Sequence, residues 1–299
     1  MRDDSCPNLP ATSLIIPSRN RSQLLLDSVK SILAGDEVPT ELVIVDQSAV
    51  PHSPLAFLRT ERSCEIRYLW TQSIGVSRAR NAGIGAARHD VLVFTDDDIL
   101  VRPEWFGTIA RSLLRARPRT VVTGRVLPAE TGTGFAPSIK TDETPAVYEG
   151  RIGQDVLFSN NVAMFRSVLA EVGTFDMRLG AGTPFANAED NDLGYRILEA
   201  GYRIAYVPEA ILYHRAWRSN RDYLPLRWSY GVGRGAVYAK HLSLQDRYML
   251  SRLRADVTSH IPRSPRAIRE RPRESCGDIV LAIGILFGAA KWWLKRPKP

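Results

Sequence analysis

Apolar and polar positions along the first two thirds of the chain follow a strand-then-helix rhythm. Thr12 to Ile16 is a short β-branched run that Pro17 ends, and the segment after it carries Leu24, Leu25, Val29, Ile32 and Leu33 at helical spacing. The pattern returns at Glu41–Asp46, at Glu65–Trp70, over a helix near Val76–Ala87, and at Val91–Thr95, which runs into an acidic turn. Four strands separated by helical segments imply a mostly parallel sheet. Pro103 stands where it can open a helix through Leu114, and Thr120–Leu127 reads as a further strand. Residues 128–155, rich in Gly, Pro, Thr and charge, predict a long loop of the kind that serves as an active-site flap. Beyond it come an apolar stretch, Val162–Phe165, a Gly/Pro-rich stretch, Gly180–Pro184, and a helix from about Glu189 to Ala200 that Gly201 terminates. A strand at Arg203–Val207 precedes Pro208 and leads to His214.

A chain of 299 residues with 44% hydrophobic and 24% charged content can bury a full core, and fits one large α/β domain with an appendage. There is no internal repeat and no low-complexity tract. The first ten residues lack the apolar core of a secretory signal, and the chemistry-bearing segments contain no membrane-length apolar run, so the expectation is a cytoplasmic body. Cys6, Cys64 and Cys276 show neither zinc-ligand spacing nor a disulfide framework and read as reduced thiols. The net charge of +8 is uneven: basic residues crowd the chain after about residue 215, where arginines could face an anionic membrane, an anionic acceptor or nucleic acid. No recognisable nucleic-acid motif accompanies them, and nucleic acid is not expected as a partner.

The strongest chemical feature is the run from Val91 to Leu100, in which a hydrophobic strand delivers Asp96, Asp97 and Asp98. Extended alternation would project Asp96 and Asp98 to one side at the carboxyl end of a buried strand, where open α/β sheets bind ligands. Three adjacent carboxylates repel one another unless a cation compensates, and Mg2+ or Mn2+ commonly bridges one or two carboxylates to substrate phosphates. Asp46 ends a neighbouring strand and can accept hydrogen bonds from a base N–H or a ribose hydroxyl.

The segments Thr12–Arg21, Val45–Ser48, Ala79–Gly83, Phe94–Asp98 and Glu189–Leu193, in that order, resemble the motifs of family-2 glycosyltransferases of the GT-A fold. The resemblance covers about residues 11–215. It implies a GT-A (Rossmann-like) α/β catalytic domain over 1–215, with a donor half at about 11–127 and an acceptor half at about 128–215, followed by a basic helical extension over 216–299. It also implies inverting transfer of a sugar from a nucleotide-diphosphate donor to a hydroxyl on a glycan, lipid-linked or other acceptor, in polysaccharide or glycolipid assembly. Carried over by position, Pro17, Ser18, Arg19 and Asp46 would hold the nucleoside. Arg19 stands where the family often has an aromatic residue, and its guanidinium plane can stack on the base instead. Arg80 and Asn81 would line the donor pocket. Asp96 and Asp97 would meet the donor diphosphate, with Asp96, Asp98 and His214 as ligands of Mg2+ or Mn2+. Asp190 would be the base that deprotonates the acceptor, kept ionised by the amino end of its helix, with Glu189 orienting that acceptor. Asn160 and Asn161 could present amides to sugar hydroxyls, and Trp105, Trp217 and Trp228 could line an acceptor groove.

Two other classes fit parts of the pattern. A sugar-nucleotidyltransferase shares the α/β sheet and acidic metal ligands, but no glycine-rich, lysine-containing phosphate loop stands near the first strand. A noncatalytic module could bind through the basic C-terminal region. That region ends in an apolar run, Ile279–Ala290, followed by Lys291, Trp292, Trp293, Leu294 and Lys295. The segment 279–294 would reach about 24 Å as a helix against a hydrocarbon core of roughly 30 Å, which points to peripheral attachment at the cytoplasmic membrane face. Packing of this helix on its own chain or on a partner subunit is the alternative.

Overall fold

The computed structural model describes residues 9–295 other than 57, 59, 130–137, 217 and 263. Cys6, Trp217 and part of the expected flap lie outside the described residues. The chain divides into two compact units: Met1–Phe175 with Leu193–Trp217, and Asp176–Asp192 with Arg218–Pro299.

The first unit is built on a mixed sheet. Its strands are β1 (Thr12–Ser18), β2 (Glu41–Asp46), β3 (Glu65–Trp70), β4 (Val91–Thr95), β5 (Ile99–Val101), β6 (Thr120–Pro128), β7 (Ala146–Glu149), β8 (Asn161–Phe165) and β9 (Arg203–His214). They lie in the order β3-β2-β1-β4-β8-β6-β9-β5, with β7 also paired to β9. Strands β3, β2, β1 and β4 are parallel to one another, as are β6 and β9, while β8 runs antiparallel to both strands beside it and β5 and β7 run antiparallel to β9. The helices are α1 (Ser22–Leu33), α2 (Ser53–Ala56), α3 (Val76–Ala86), α4 (Trp105–Arg115), α5 (Arg166–Val172) and α6 (Glu189–Glu199), the last of which spans the boundary between the units.

Both faces of the sheet are covered, which is why its central strands are apolar without alternation. Leu14 and Ile16 of β1 point into a layer with Leu25, Val29 and Ile32 of α1 and Phe106, Ile109 and Leu113 of α4. Ile15 points to the opposite face, among Ala79 and Ile84 of α3, Val168 and Leu169 of α5, and Leu193 and Ile197 of α6. Cys64 is buried and its thiol is free; burial first, then the nearby Glu41 and Glu65, push it up to about 11.

Two sequence expectations change here. The stretch 128–155 is not all loop, since Ala146–Glu149 forms β7 along β9, too short a strand to stand out from its polar surroundings. Nor does Pro208 end a strand, because β9 continues through it to His214. The register against β6 jumps there, from Gly124 opposite Val207 to Arg125 opposite Ile211, and this irregularity accommodates a residue with no N–H to give the ladder.

The second unit contains α7 (Tyr223–His241), α8 (Tyr248–Ser259), α9 (Pro265–Glu270) and α10 (Pro272–Leu294), with the segment Asp176–Asp192. Helices α7 and α10 pack backbone to backbone. A Cβ on Gly231, Gly235 or Gly288 would run into the carbonyl of Leu281, Ile285 or Val232 respectively. Leu179, Phe185, Val232, Ala236 and Trp292 form the core of this unit. A polar network sits beside it: Lys240 Nζ lies 2.7 Å from both Asp176 Oδ2 and Asp192 Oδ1, and His241 Nε2 lies 2.7 Å from Asp192 Oδ1.

Two outcomes follow from this packing. A Cβ on Gly83 would stand 2.5 Å from Ile15 Cγ2, so the glycine lets α3 lie against β1. Gly83→Val should lower stability by about 1–3 kcal/mol, read as a lower urea midpoint. Burial raises the Asp176 carboxyl, but hydrogen bonds from Arg178 and Lys240 outweigh it and hold the group well below the usual carboxylate range. A depressed carboxylate contributes stability above its unfolded pKa of about 3.9 and loses it as pH falls further. Asp176→Asn should therefore lower Tm at neutral pH, and the gap from the parent should narrow as pH drops below about 4.

Candidate active site

Strand β4 ends at Thr95 between β1 and β8, and the three aspartates follow in a tight turn. Neighbouring elements meet each of them. Ser18, at the end of β1, donates its hydroxyl to Asp97 Oδ2 at 2.7 Å. Arg21, just before α1, places Nη1 2.8 Å from Asp97 Oδ1 and 3.1 Å from Asp98 Oδ2. Arg80, buried on α3, pairs with Asp96 Oδ1 at 2.8 Å and lies 5.2 Å from the centroid of the Phe175 ring. His214 reaches the turn because β5 pairs with β9, with Ile99 opposite His214; its Nε2 is 3.2 Å from Asp98 Oδ1. Ser28, at a core position of α1, exchanges hydrogen bonds with the backbone on either side of Asp98, lying 2.9 Å from the Asp97 carbonyl and 3.2 Å from the Ile99 N–H.

The strand alternation expected for Asp96 and Asp98 stops at Thr95. By contact Asp97 and Asp98 converge on Arg21, and Asp96 turns to Arg80. Burial drives the electrostatics of this turn. It pushes Asp97 up to about 7 against the opposing charge of Arg21, and raises Asp96 against Arg80. A cation at the turn would favour the ionised forms.

Among the described residues, no three His, Cys, Asp or Glu side chains are grouped so as to hold a metal by themselves. The donor set does fit a cation that shares its coordination with phosphate. Asp98 and His214 stand at the separation of two ligands on one ion, Asp96 keeps some exposure at the same turn, and Mg2+ typically takes one or two carboxylates with the rest from substrate and water.

The nucleoside candidates lie one and two strands away. Ser18 of β1 is in register with Asp46 of β2. Asp46 is fully buried: Oδ1 accepts the Ser48 N–H at 2.8 Å, and Oδ2 accepts the Tyr68 hydroxyl at 2.5 Å and the His52 N–H at 3.3 Å. It thus braces the turn after β2. Pro17 is buried within β1 and Arg19 is exposed. Asn20, in the left-handed region at φ 55°, ties the turn after β1 to the turn after β2 by accepting the Ala49 N–H at 3.0 Å. The Asn81 amide is taken up by the backbone N–H and carbonyl of Phe175, so it fixes that residue and spends its hydrogen bonds there.

Asn160 and Asn161 separate in role. Asn161 points into the core, where it accepts the Trp105 indole N–H at 2.9 Å and donates to the carbonyls of Arg125 and Ala210, so its amide is not available to an acceptor. Its partner Trp105 is equally buried and lines no groove. The reason is local: Gly124 leaves no Cβ at the irregularity between β6 and β9, and the Asn161 side chain fills that space. Asn160 is buried as well, but its Oδ1 receives no hydrogen bond among the described residues. Trp228 is on α7, part exposed, with its ring centroid 5.2 Å from that of Phe287.

In the second unit, Glu189 and Asp190 occupy the first turn of α6. Asp192, with no exposure, anchors that turn through Lys240 and His241. Ala188, just ahead, has φ 69°, a conformation that costs an L-residue about 1–2 kcal/mol. Arg21, Ser28, Lys240 and His241 join the candidate residues through these contacts. Only Ser28 carried a usable sign, as a polar residue inside the Leu25, Val29, Ile32 stripe.

Known proteins resemble this chain in sequence and in fold. The N-acetylglucosaminyltransferase of Rhizobium meliloti (strain 1021) is 24% identical over 308 residues, covering 95% of this chain and 68% of that protein. The pre-mycofactocin glycosyltransferase of Mycobacterium tuberculosis (strain ATCC 25618 / H37Rv) is 27% identical over 248 residues, covering 80% of this chain; the chain spans 50% of that relative's length. Among solved structures, the mannosyltransferase PcManGT from Pyrobaculum calidifontis, in complex with GDP-Man and Mn2+, aligns over 96% of this chain and 88% of its own with a TM-score of 0.61 at 16% identity. S. aureus TarS 1-349 in complex with UDP-GlcNAc aligns over 97% and 93% with a TM-score of 0.56 at 13% identity. The mostly parallel sheet flanked by helices is thus the GT-A fold. Residues 10–231 match the profile of the family described as glycosyltransferase like family 2, and the chain belongs to that family.

Proposed function

We propose that this protein transfers a sugar from a nucleotide-diphosphate donor to an acceptor hydroxyl with inversion, in cell-surface polysaccharide or glycolipid assembly at the cytoplasmic face of a membrane. The observation that carries the reading is the approach of His214 Nε2 to Asp98 Oδ1 at 3.2 Å in the acidic turn after β4, two residues beyond Asp96. A strand end in an open α/β sheet is a ligand crevice, and a cluster of carboxylates with an imidazole suits a cation shared with a diphosphate. Asp96, Asp98 and His214 would hold Mg2+ or Mn2+. When bound, that ion would neutralise charge developing on the departing diphosphate.

Ser18 and Arg21 would keep Asp97 and Asp98 in place, and Arg80 would hold Asp96 while presenting positive charge near the donor. Pro17, Arg19 and Asp46 would form the nucleoside side, with Asp46 acting mainly by fixing the turn after β2. Asp190 would take the proton from the acceptor hydroxyl as it attacks the anomeric carbon. Its place in the first turn of a helix favours the ionised carboxylate. Glu189 would orient the acceptor, and the Asn160 side chain, with Oδ1 open to a hydrogen bond, suits a sugar hydroxyl. In this reading catalysis resides in residues 1–215, and the basic region 216–299 is an accessory part.

Two substitutions test the roles separately, with release of nucleoside diphosphate and donor affinity as the readouts. Asp98→Ala should abolish metal-dependent donor binding and turnover together. Asp190→Asn should leave the donor Kd within about twofold and lower kcat by about 10²–10⁴-fold, the range supplied by a positioned base. Turnover equal to the parent in either variant would refute the assignment of that residue.

A further inference from the structure

Beyond Asp278, helix α10 is apolar around nearly its whole circumference, and the second unit covers only half of it. Leu281, Ala282, Gly284, Ile285, Gly288 and Trp292 are buried, on the side that meets α7. The opposite side carries Ile279, Ile283, Leu286, Phe287, Trp293 and Leu294, all exposed, with Ile283 and Leu286 at 53% and Leu294 at 87%. At 100° per residue these six fall in one stripe about 120° wide. Leu224 and Trp228 of α7 are exposed too, and Trp228 stacks against Phe287 at 5.2 Å, so the stripe continues onto the neighbouring helix. A helix that is hydrophobic all round is one that something else covers.

Charge identifies the cover. From Arg218 onward the sequence has 17 Lys and Arg against 6 Asp and Glu. Arg266, Arg269 and Arg271 are exposed where the chain enters α10, and Lys295 is exposed where the helix stops. Such an apolar stripe, flanked by basic residues and carrying tryptophans, matches a helix lying in the headgroup layer of an anionic membrane. Passage through the bilayer fits less well. Although α10 is long and apolar enough to cross by composition, its first turns hold Arg273, Glu274 and Asp278. The uninterrupted run Ile279–Ala290 is 12 residues, or about 18 Å of helix against roughly 30 Å of hydrocarbon. Its inner face is also committed to α7, where Asp278 pairs with Arg227.

We propose that the Ile279, Ile283, Leu286, Phe287, Leu294 face of α10, extended by Leu224 and Trp228, is a docking surface for an anionic lipid bilayer, with α10 parallel to the membrane plane. This specifies the surface and lipid class behind the membrane setting proposed above, and it stands independently of the donor chemistry.

The experiment is flotation of the whole chain with phosphatidylcholine vesicles and with vesicles of phosphatidylcholine and phosphatidylglycerol at 7:3. Binding should occur with the anionic vesicles and weaken severalfold between 0.1 and 0.5 M NaCl. The double substitution Ile283→Ser with Phe287→Ser changes only exposed side chains and should lower the bound fraction at least tenfold, with Tm unchanged. In the unsubstituted chain, lipids brominated near the headgroup should quench tryptophan fluorescence more than lipids brominated near the chain ends, a comparison that needs no variant. Absence of vesicle binding, equal binding by the double variant, or strongest quenching from the chain ends would each overturn the proposal. So would a parent that is dimeric and vesicle-free while the variant is monomeric, since a second copy would then be the cover. Loss of donor binding with vesicle binding intact would count against the catalytic reading alone.

Discussion

Negative charge gathered at the end of β4 is the constraint around which the first unit is arranged. Three consecutive carboxylates in a place this buried would repel one another and resist ionisation, and burial does raise both Asp96 and Asp97. The chain offsets this with two guanidinium groups from opposite sides, Arg21 ahead of α1 and Arg80 on α3, and with a hydroxyl from the end of β1. Each partner is delivered by an element whose position the sheet order fixes: β1 lies next to β4, α3 packs against β1 through Gly83, and β9 brings His214 across from β5. The proposed cation, with the phosphates that accompany one, would add to this compensation.

Much of the fold could be read from the residues. Strands β2 and β4 are runs buried on both faces, with no polar alternation to confuse the pattern, and their limits match the expected ones; the limits of β3 match too, although this edge strand is partly exposed along its length. What escaped the sequence were features that depend on neighbours far along the chain. Strand β5 has three residues and β7 four, too few to show a period, and each exists only because β9 provides an edge. Pro208 looked like a stop because a proline has no N–H to give; the jump in register between Gly124 and Arg125 is visible only once β6 and β9 are paired.

The candidate site divides along the same line. The aspartates announce themselves by residue type and position after a strand, whereas Arg80 and His214 are expected from the family resemblance; Arg80 contacts Asp96 and His214 contacts Asp98. Asn161 and Trp105 look equally suited to binding, yet they satisfy one another in the core, because a buried amide and a buried indole each require a partner. Arg21 and the Lys240–Asp192–His241 cluster gave no local sign, since their meaning comes from contacts spanning dozens of residues. The glycines of α7 and α10 likewise take their meaning from a distant contact, the touching of the two helix backbones, and that contact defines which half of α10 is left uncovered.

The most direct test of the central claim is calorimetric titration of UDP and GDP into the unsubstituted protein, once with Mn2+ and once with excess chelator. One nucleotide should bind with Mn2+ and its heat should vanish with chelator, as a cation shared between the acidic turn and a diphosphate requires. Binding of equal strength in chelator, or binding of neither nucleotide under either condition, would contradict it.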